Sequence, residues 1–249
     1  MVTVTKDDMY KIAFLFDGWD ETMIWTCLQG VMGKAWADSL GKPVSTQIIT
    51  ADFCFLAGIP DEELVKNCAG KIVTSKDASW FEMIESVWKG NARKACRYAI
   101  KKEPDVFDRE KLAFYVSNIP EQFELAFINE EIYNELLKEE WSEDFCSNYD
   151  SYDDFNRRGL GIAALYEGRP VSGASSYIVY NGGIEIEIDT KPDFRRKGLA
   201  TACGSKLILE CLSRNLYPSW DAYDLRSVAC AEKLGYHMSH EYTVYNIER

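Results

Sequence analysis

The run Ile184-Glu185-Ile186-Glu187-Ile188-Asp189-Thr190-Lys191-Pro192-Asp193-Phe194-Arg195-Arg196-Lys197-Gly198-Leu199-Ala200 is the most informative part of this chain. Its first six residues alternate apolar and acidic side chains, the period of a strand with one buried face. Beyond it Ala200, Cys203, Gly204, Leu207, Ile208 and Cys211 recur at helical spacing. Between strand and helix lies a basic turn with a glycine. The first N–H groups of a helix have no internal partner and carry the positive end of its dipole, so such a turn makes an anion cradle. Gly198 lets the backbone approach a ligand closely. The competing reading is a solvated basic turn.

The rest of the chain is globular in composition. It has 249 residues, of which 47% are hydrophobic and 13% aromatic, enough for one large domain or two small ones with real cores. No apolar run reaches the ~18 residues a membrane span needs. Lys6, Asp7 and Asp8 precede only a short apolar patch, Ile12 to Phe16, which is not a signal-peptide pattern, so a cytoplasmic location is expected. The cysteines at 27, 54, 68, 96, 146, 203, 211 and 230 form no Cys-x-x-Cys pair and read as reduced core thiols. His237 and His240 have no cysteine completing a zinc pattern, so no metal is expected. The net charge of −12 opposes non-specific binding to nucleic acid. Residues 1–115 hold 15 basic and 17 acidic side chains, and residues 116–249 hold 13 and 23. The acid excess therefore lies in the half with the anion turn.

Along the chain, Asp8 to Phe16 reads as helical and Met23 to Cys27 as a strand. Ala35 to Ala37 and Gln47 to Leu56 supply two more strands. Gly58-Ile59-Pro60-Asp61 ends the last of these and starts a helix capped by Asp61. Trp80 to Ile100 reads as one long helix, broken at Pro104-Asp105. Gln29 to Ala35 loosely imitates a nucleotide loop, but its spacing is one residue too long and strand-like residues follow, so it reads as a hairpin turn. A domain boundary is expected between 104 and 120, giving an α/β accessory domain over 1–115 and a second domain over 116–249.

In that second domain, residues 121 to 154 carry twelve carboxylates against Lys138 alone, with Ile128, Ile132, Leu136 and Leu137 on a helical apolar face. Gly161 to Tyr166 and Val171 to Tyr180 form a hairpin. The expected order is two helices, three antiparallel strands, the anion turn, a helix, a strand and a helix that starts at Asp224 as its N-cap and ends before Gly235. The fold class is α/β (α+β), a mixed central sheet flanked by helices.

Arg-x-x-Gly-x-Ala between strand and helix resembles the acetyl-CoA pyrophosphate loop of the GNAT superfamily of N-acetyltransferases. With Asp221-Ala222 and Ala231-Glu232-Lys233-Leu234-Gly235-Tyr236, the last quarter is similar to the subgroup related to the zwittermicin A resistance protein. The resemblance implies a GNAT fold in the C-terminal half and a degenerate GNAT-like accessory half before it. It implies that acetyl-CoA lies with its phosphates on the backbone of Arg196 to Thr201, including Lys197, Gly198, Leu199 and Ala200. Arg195 and Arg196 would lead the local positive field, joined by Lys191 and Lys197. The pantetheine amides would meet Ile188, Asp189 and Thr190, and Asp224 would stand where the family commonly has Asn.

Acetyl transfer needs a base, a polarised carbonyl and an acid for the thiolate. Glu187 is the first candidate base, Glu185 and Asp221 the rivals, and a solvated strand face is the competing reading of both glutamates. Ala231 occupies the position where the family commonly has a Tyr acid. Tyr236, Tyr223, Ser227 or solvent would replace it, and Tyr236 also reads as a core aromatic. The carboxylates of 121 to 154 suggest a small cationic amine acceptor: an aminopolyol, an aminoglycoside-like antibiotic, a polyamine or a peptide amine. The competing functions are a catalytically silent acyl-CoA-binding module and aminoacyl transfer from tRNA, which the acidic charge disfavours.

Overall fold

The computed structural model describes residues 1–248. Two compact units emerge, one of Met1–Arg97 with the stretch from Glu241 onward, the other of Tyr98–His240. The division thus falls at Arg97/Tyr98 rather than near residue 115, and the C-terminal stretch returns to the first unit. The reason is that two strands cross the dividing line in mid-course, and no Pro- or Gly-rich linker marks such a boundary.

The first unit holds β1 (Val2–Val4), α1 (Thr22–Leu28), β2 (Lys34–Ala37), β3 (Ser45–Thr50), β4 (Phe53–Gly58), α2 (Glu62–Lys66), β5 (Ile72–Thr74), α3 (Ala78–Trp88) and most of β6 (Ala92–Ile100). Strands β2, β3 and β4 form an antiparallel meander, and β5 pairs parallel with β4. Tyr245 and Asn246 of β13 (Met238–Ile247) pair with β5. Trp80, Ile84, Leu56, Leu64, Val65, Val73 and Tyr245 share one buried cluster.

Four sequence expectations change here. Asp8 to Phe16 lies in two 3-10 helices, Lys6–Lys11 and Ala13–Phe16. Met23 to Cys27 is helical, because a short apolar run fits either element and Glu21 caps it, accepting from the Met23 N–H. Gln47 to Leu56 is a hairpin, turning at Ala51 with φ of +51° where no glycine announces it. The long helix stops at Trp88: Lys89 takes φ of +47°, and Ala92 to Ile100 continues as strand. Gly30 and Gly33 serve a turn from α1 into β2.

The second unit holds the end of β6, then α4 (Arg109–Ser117), β7 (Phe123–Phe127), α5 (Glu130–Leu136), α6 (Tyr152–Arg158), β8 (Gly161–Tyr166), β9 (Arg169–Tyr180), β10 (Gly183–Thr190), α7 (Leu199–Ser213), β11 (Tyr217–Ser219), β12 (Asp221–Ala222) and α8 (Leu225–Leu234). Its sheet runs β11-β10-β9-β8-β7. Helix α7 covers β8, β9 and β10 on one face, while α5 and the 3-10 turn Glu143–Phe145 lie against the other. The hairpin closes at Glu167 and Gly168, both with positive φ, the two-residue turn that matches strand twist. Neither α4 nor β7 was expected from sequence. β7 (Phe-Glu-Leu-Ala-Phe) does alternate, with Phe123, Leu125 and Phe127 apolar, but over only five residues at the head of a carboxylate-rich stretch with a helical apolar face.

Asp154, 6% exposed, is the buried anchor of α6, receiving Arg158 through Nε at 2.9 Å and Arg157 at its Oδ1. Arg158 above all holds its carboxyl below the usual range. Because the folded value is depressed, the stabilisation is complete above the unfolded value of about 3.9 and is lost as pH falls through the folded one. Asp154→Asn is therefore expected to cost about 1.5–3 kcal/mol at neutral pH. Thermal melts should show the deficit shrinking below pH 4, and a deficit constant with pH would contradict this linkage.

Candidate active site

Helix α7 begins differently from every other α-helix among the described residues. The N-cap residues Glu21, Asp61, Asp77, Asp108, Asn129, Ser151 and Asp224 each accept a backbone N–H of the helix they start. Gly198 has no side chain to do so and sits at φ of +82°. The first bond of the helix runs from the Ala202 N–H to the Gly198 carbonyl at 3.0 Å, which leaves the N–H groups of Leu199, Ala200 and Thr201 ahead of the ladder. Arg196, Lys197 and Gly198 are exposed, and a Cβ built on Gly198 would meet no protein atom within 4 Å. The corner is therefore open, and its donor set suits a diphosphate.

Beside this corner the sheet splays. Strand β11 pairs parallel with only the first three residues of β10: Gly183 with Tyr217, Ile184 with Pro218 and Glu185 with Ser219. One residue later the chain has left β10, and Asp221 and Ala222 pair with Ala99 and Tyr98 of β6. From Ile186 onward β10 has β9 on one side and, among the described residues, no strand on the other. That free edge leads to the start of α7, a track for an extended, amide-bearing ligand.

The first unit repeats this plan in closed form. There too a meander is followed by a helix and a strand parallel to the first three residues of its last strand, Phe53 to Phe55. But Trp80 fills the corner, its indole N–H donating to the Gly58 carbonyl at 3.0 Å. Asp61 occupies the helix N-terminus, with Glu62 and Glu63 following it. Both the space and the charge there oppose an anion.

The expected side chains distribute unevenly around the open corner. Glu185, Glu187 and Asp189 share the β10 face opposite α7. Glu185 is buried at 4% exposure, whereas Glu187 is half-buried just beyond the last residue paired to β11. Asp221 lies on β12, half-buried. Of the backbone groups expected for an amide arm, those of Thr190 are engaged: its N–H meets the Asp189 carboxylate at 2.6 Å and its carbonyl accepts the Arg195 Nε at 2.9 Å. Arg195 therefore points back at β10 rather than outward. Lys191 is likewise tied to Glu139 at 2.6 Å, a carboxylate that Lys191 and Trp141 hold below its ordinary range. Sequence had no signal for either pairing. Asp224 caps α8 through the N–H groups of Arg226 and Ser227 and pairs with the Arg226 guanidinium, which leads in lowering its pKa.

Tyr236 is a core residue. It is 1% exposed, donates its hydroxyl to the Pro218 carbonyl at 2.6 Å, and stacks edge-on with Phe107 and Trp220. Burial pushes its pKa well up, so its surroundings favour the core aromatic over the acid. Tyr236→Phe is expected to lose about 1–3 kcal/mol of stability through the orphaned Pro218 carbonyl and to keep its kcat. A large fall in kcat in a folded Tyr236→Phe protein would restore the acid role. Ala231 is fully buried, so nothing on that turn of α8 replaces a tyrosine. Four residues earlier, Ser227 is half-buried and accepts the Trp220 indole N–H at 3.1 Å, leaving its own O–H to donate. Trp220 is the residue at which the chain leaves β10.

Much of the acidic segment does structural work. Glu130, Glu131, Glu143, Asp144, Asp153 and Asp154 fall in first helical turns, where they complement the dipole. Cys27, Cys146, Cys203 and Cys211 are buried thiols pushed up to about 12 by desolvation. They are poor nucleophiles. Among the described residues no group of three or more His, Cys, Asp or Glu is placed to hold a metal ion, and no helix is long and apolar enough to cross a membrane.

The second unit is thus a mixed sheet with a splayed parallel pair, next to an uncapped glycine-led helix. Comparison with known proteins supplies the class. The GNAT acetyltransferase family pattern matches residues 13–245. A solved GCN5-related N-acetyltransferase-like protein from Streptococcus suis 89/1591 is 44% identical with a TM-score of 0.93, over 97% of this chain and 99% of that one. The uncharacterized N-acetyltransferase YdfB of Bacillus subtilis (strain 168) is 26% identical over 261 residues, 96% of this chain and 92% of its own. A tandem GNAT protein from the clavulanic acid biosynthesis pathway, 10% identical, shares the fold with a TM-score of 0.60 over 98% of this chain and 96% of that one. The chain belongs to the GNAT family of N-acetyltransferases, whose members typically use acetyl-CoA.

Proposed function

We propose that the second unit binds acetyl-CoA along the free edge of β10 and the start of α7, and acetylates a primary amine of a small cationic acceptor by direct attack. The observation that carries this reading is the open Gly198 corner at the end of the unpaired β10 edge. Acetyl-CoA supplies an activated thioester carbonyl and a thiolate leaving group. The N–H groups of Leu199, Ala200 and Thr201 would hold its diphosphate, and the backbone from Ile186 to Ile188 would hold its amide arm. Glu187 is the base, taking the proton of the ammonium through water, because it stands half-exposed where the sheet opens. Ser227, polarised by the Trp220 indole, is the donor toward the departing sulfur. The desolvated cysteines argue against an acetyl-enzyme.

The closed corner of the first unit supports a single cofactor site per chain and an accessory role for that half. The narrower resemblance carried by Asp221-Ala222 and Ala231 to Tyr236 puts aminopolyol antibiotics among the acceptors, beside polyamines, aminoglycosides and peptide amines. Incubation with acetyl-CoA and such a panel, followed by free-thiol release, tests the proposal: amine-dependent release is expected. Ala231 favours the second reading, a silent acyl-CoA-binding module, and tight CoA binding without amine-dependent thiol would establish it.

A further inference from the structure

We infer that Arg195 is a positioning residue, a clasp that closes the 191–198 loop onto the end of β10 and leaves the phosphate charge to the backbone amides and Arg196. The inference rests on the reading of this loop as the diphosphate site. A family-style reading of Arg195 as a phosphate ligand conflicts with where its guanidinium lies. Its Nε donates to the Thr190 carbonyl at 2.9 Å and a terminal nitrogen lies 3.4 Å from the Asp189 carboxylate. That carboxylate also accepts the Thr190 N–H at 2.6 Å.

The clasp is anchored in the core. Ser172, fully buried on β9, donates to the Asp189 carbonyl at 3.0 Å and shares a hydrogen bond of 2.7 Å with the Thr190 hydroxyl. Guanidinium geometry matters here, because two nitrogens in a rigid fork meet two acceptors and a lysine ammonium cannot reproduce that. The loop needs holding. Arg196 has φ of +62°, a conformation disfavoured for a residue with a Cβ, and Gly198 is left-handed two residues later. Arg196 is exposed and ion-paired to no described residue, so its side chain is available to an anion, as is that of the exposed Lys197.

Calorimetric CoA titrations over a range of salt, with Arg195→Lys, Asp189→Asn, their combination and Arg196→Gln, separate clasp from ligand. A clasp predicts that Arg195→Lys and Asp189→Asn each weaken CoA by roughly three- to tenfold. Together they should cost less than the sum, and the salt dependence should stay as in the wild type. Arg196→Gln should instead flatten the salt dependence. Direct phosphate binding by Arg195 predicts the opposite for Asp189→Asn, which would free the guanidinium and tighten CoA; that result, or unchanged affinity in Arg195→Lys, overturns the inference. Hydrogen exchange of the ligand-free protein gives an independent readout. The Phe194 and Arg195 amides, bonded to the Lys191 and Pro192 carbonyls, should exchange roughly tenfold faster in both variants, and unchanged exchange refutes the clasp. If the wild type does not bind CoA, the proposed function fails, and the exchange data alone decide the clasp.

Discussion

Gly198→Val is expected to weaken CoA binding by at least about 100-fold while leaving the protein folded. No protein atom lies within 4 Å of the added Cβ, so no clash disrupts the unit. The damage is conformational: φ of +82° costs a side chain with a Cβ about 1–2 kcal/mol, and a β-branched one more. Relief of that strain turns the following N–H groups away from a common point. Losing two charge-assisted hydrogen bonds at about 1.5–3 kcal/mol each accounts for the factor. Valine also places methyl groups where phosphate oxygens would approach. Calorimetry with CoA and a thermal melt together check the outcome. A folded variant with unchanged affinity would show that the loop is misassigned.

Glu187→Gln is expected to lower kcat by about 10²–10⁴-fold with CoA affinity unchanged. The carboxylate can take the ammonium proton and the glutamine amide cannot, so the variant should depend on amine that is already deprotonated, and its deficit should shrink as pH rises. Stopped-flow thiol release across pH measures both effects. Full activity with an unshifted profile excludes Glu187 and moves attention to Glu185, buried two residues earlier, or to Asp221.

How far the sequence could be read depended on how local the deciding physics was. The strand 184–190, the glycine turn, the start of α7 and the α8 span from Asp224 to Gly235 were legible, because alternation, a left-handed glycine and an N-cap are local signals. Non-local pairing hid the rest. The Arg- and Lys-rich stretch Ala92 to Ile100 has helix-forming residues but is drawn into a sheet, and its signals of change, Lys89-Gly90-Asn91, are modest. The division into units was hidden for the same reason, since β6 and β13 run through it.

The site followed the same rule. The uncapped helix start was visible in the motif, whereas the fates of the charged side chains around it were set by partners distant in sequence. Lys191 meets Glu139 from 52 positions away, and Ser227 is tuned by a tryptophan on a neighbouring element. Tyr236 reads from sequence more as the core aromatic of Leu-Gly-Tyr than as an acid, and its bond to Pro218 supplies the structural reason.

The central claim is that the opening amides of α7 hold a diphosphate. A crystal structure of the CoA complex tests it most directly. The account predicts phosphate oxygens about 2.7–3.2 Å from the N–H groups of Leu199, Ala200 and Thr201, with the pantetheine arm along Ile186 to Ile188. CoA bound elsewhere, with those amides facing only solvent, would contradict it.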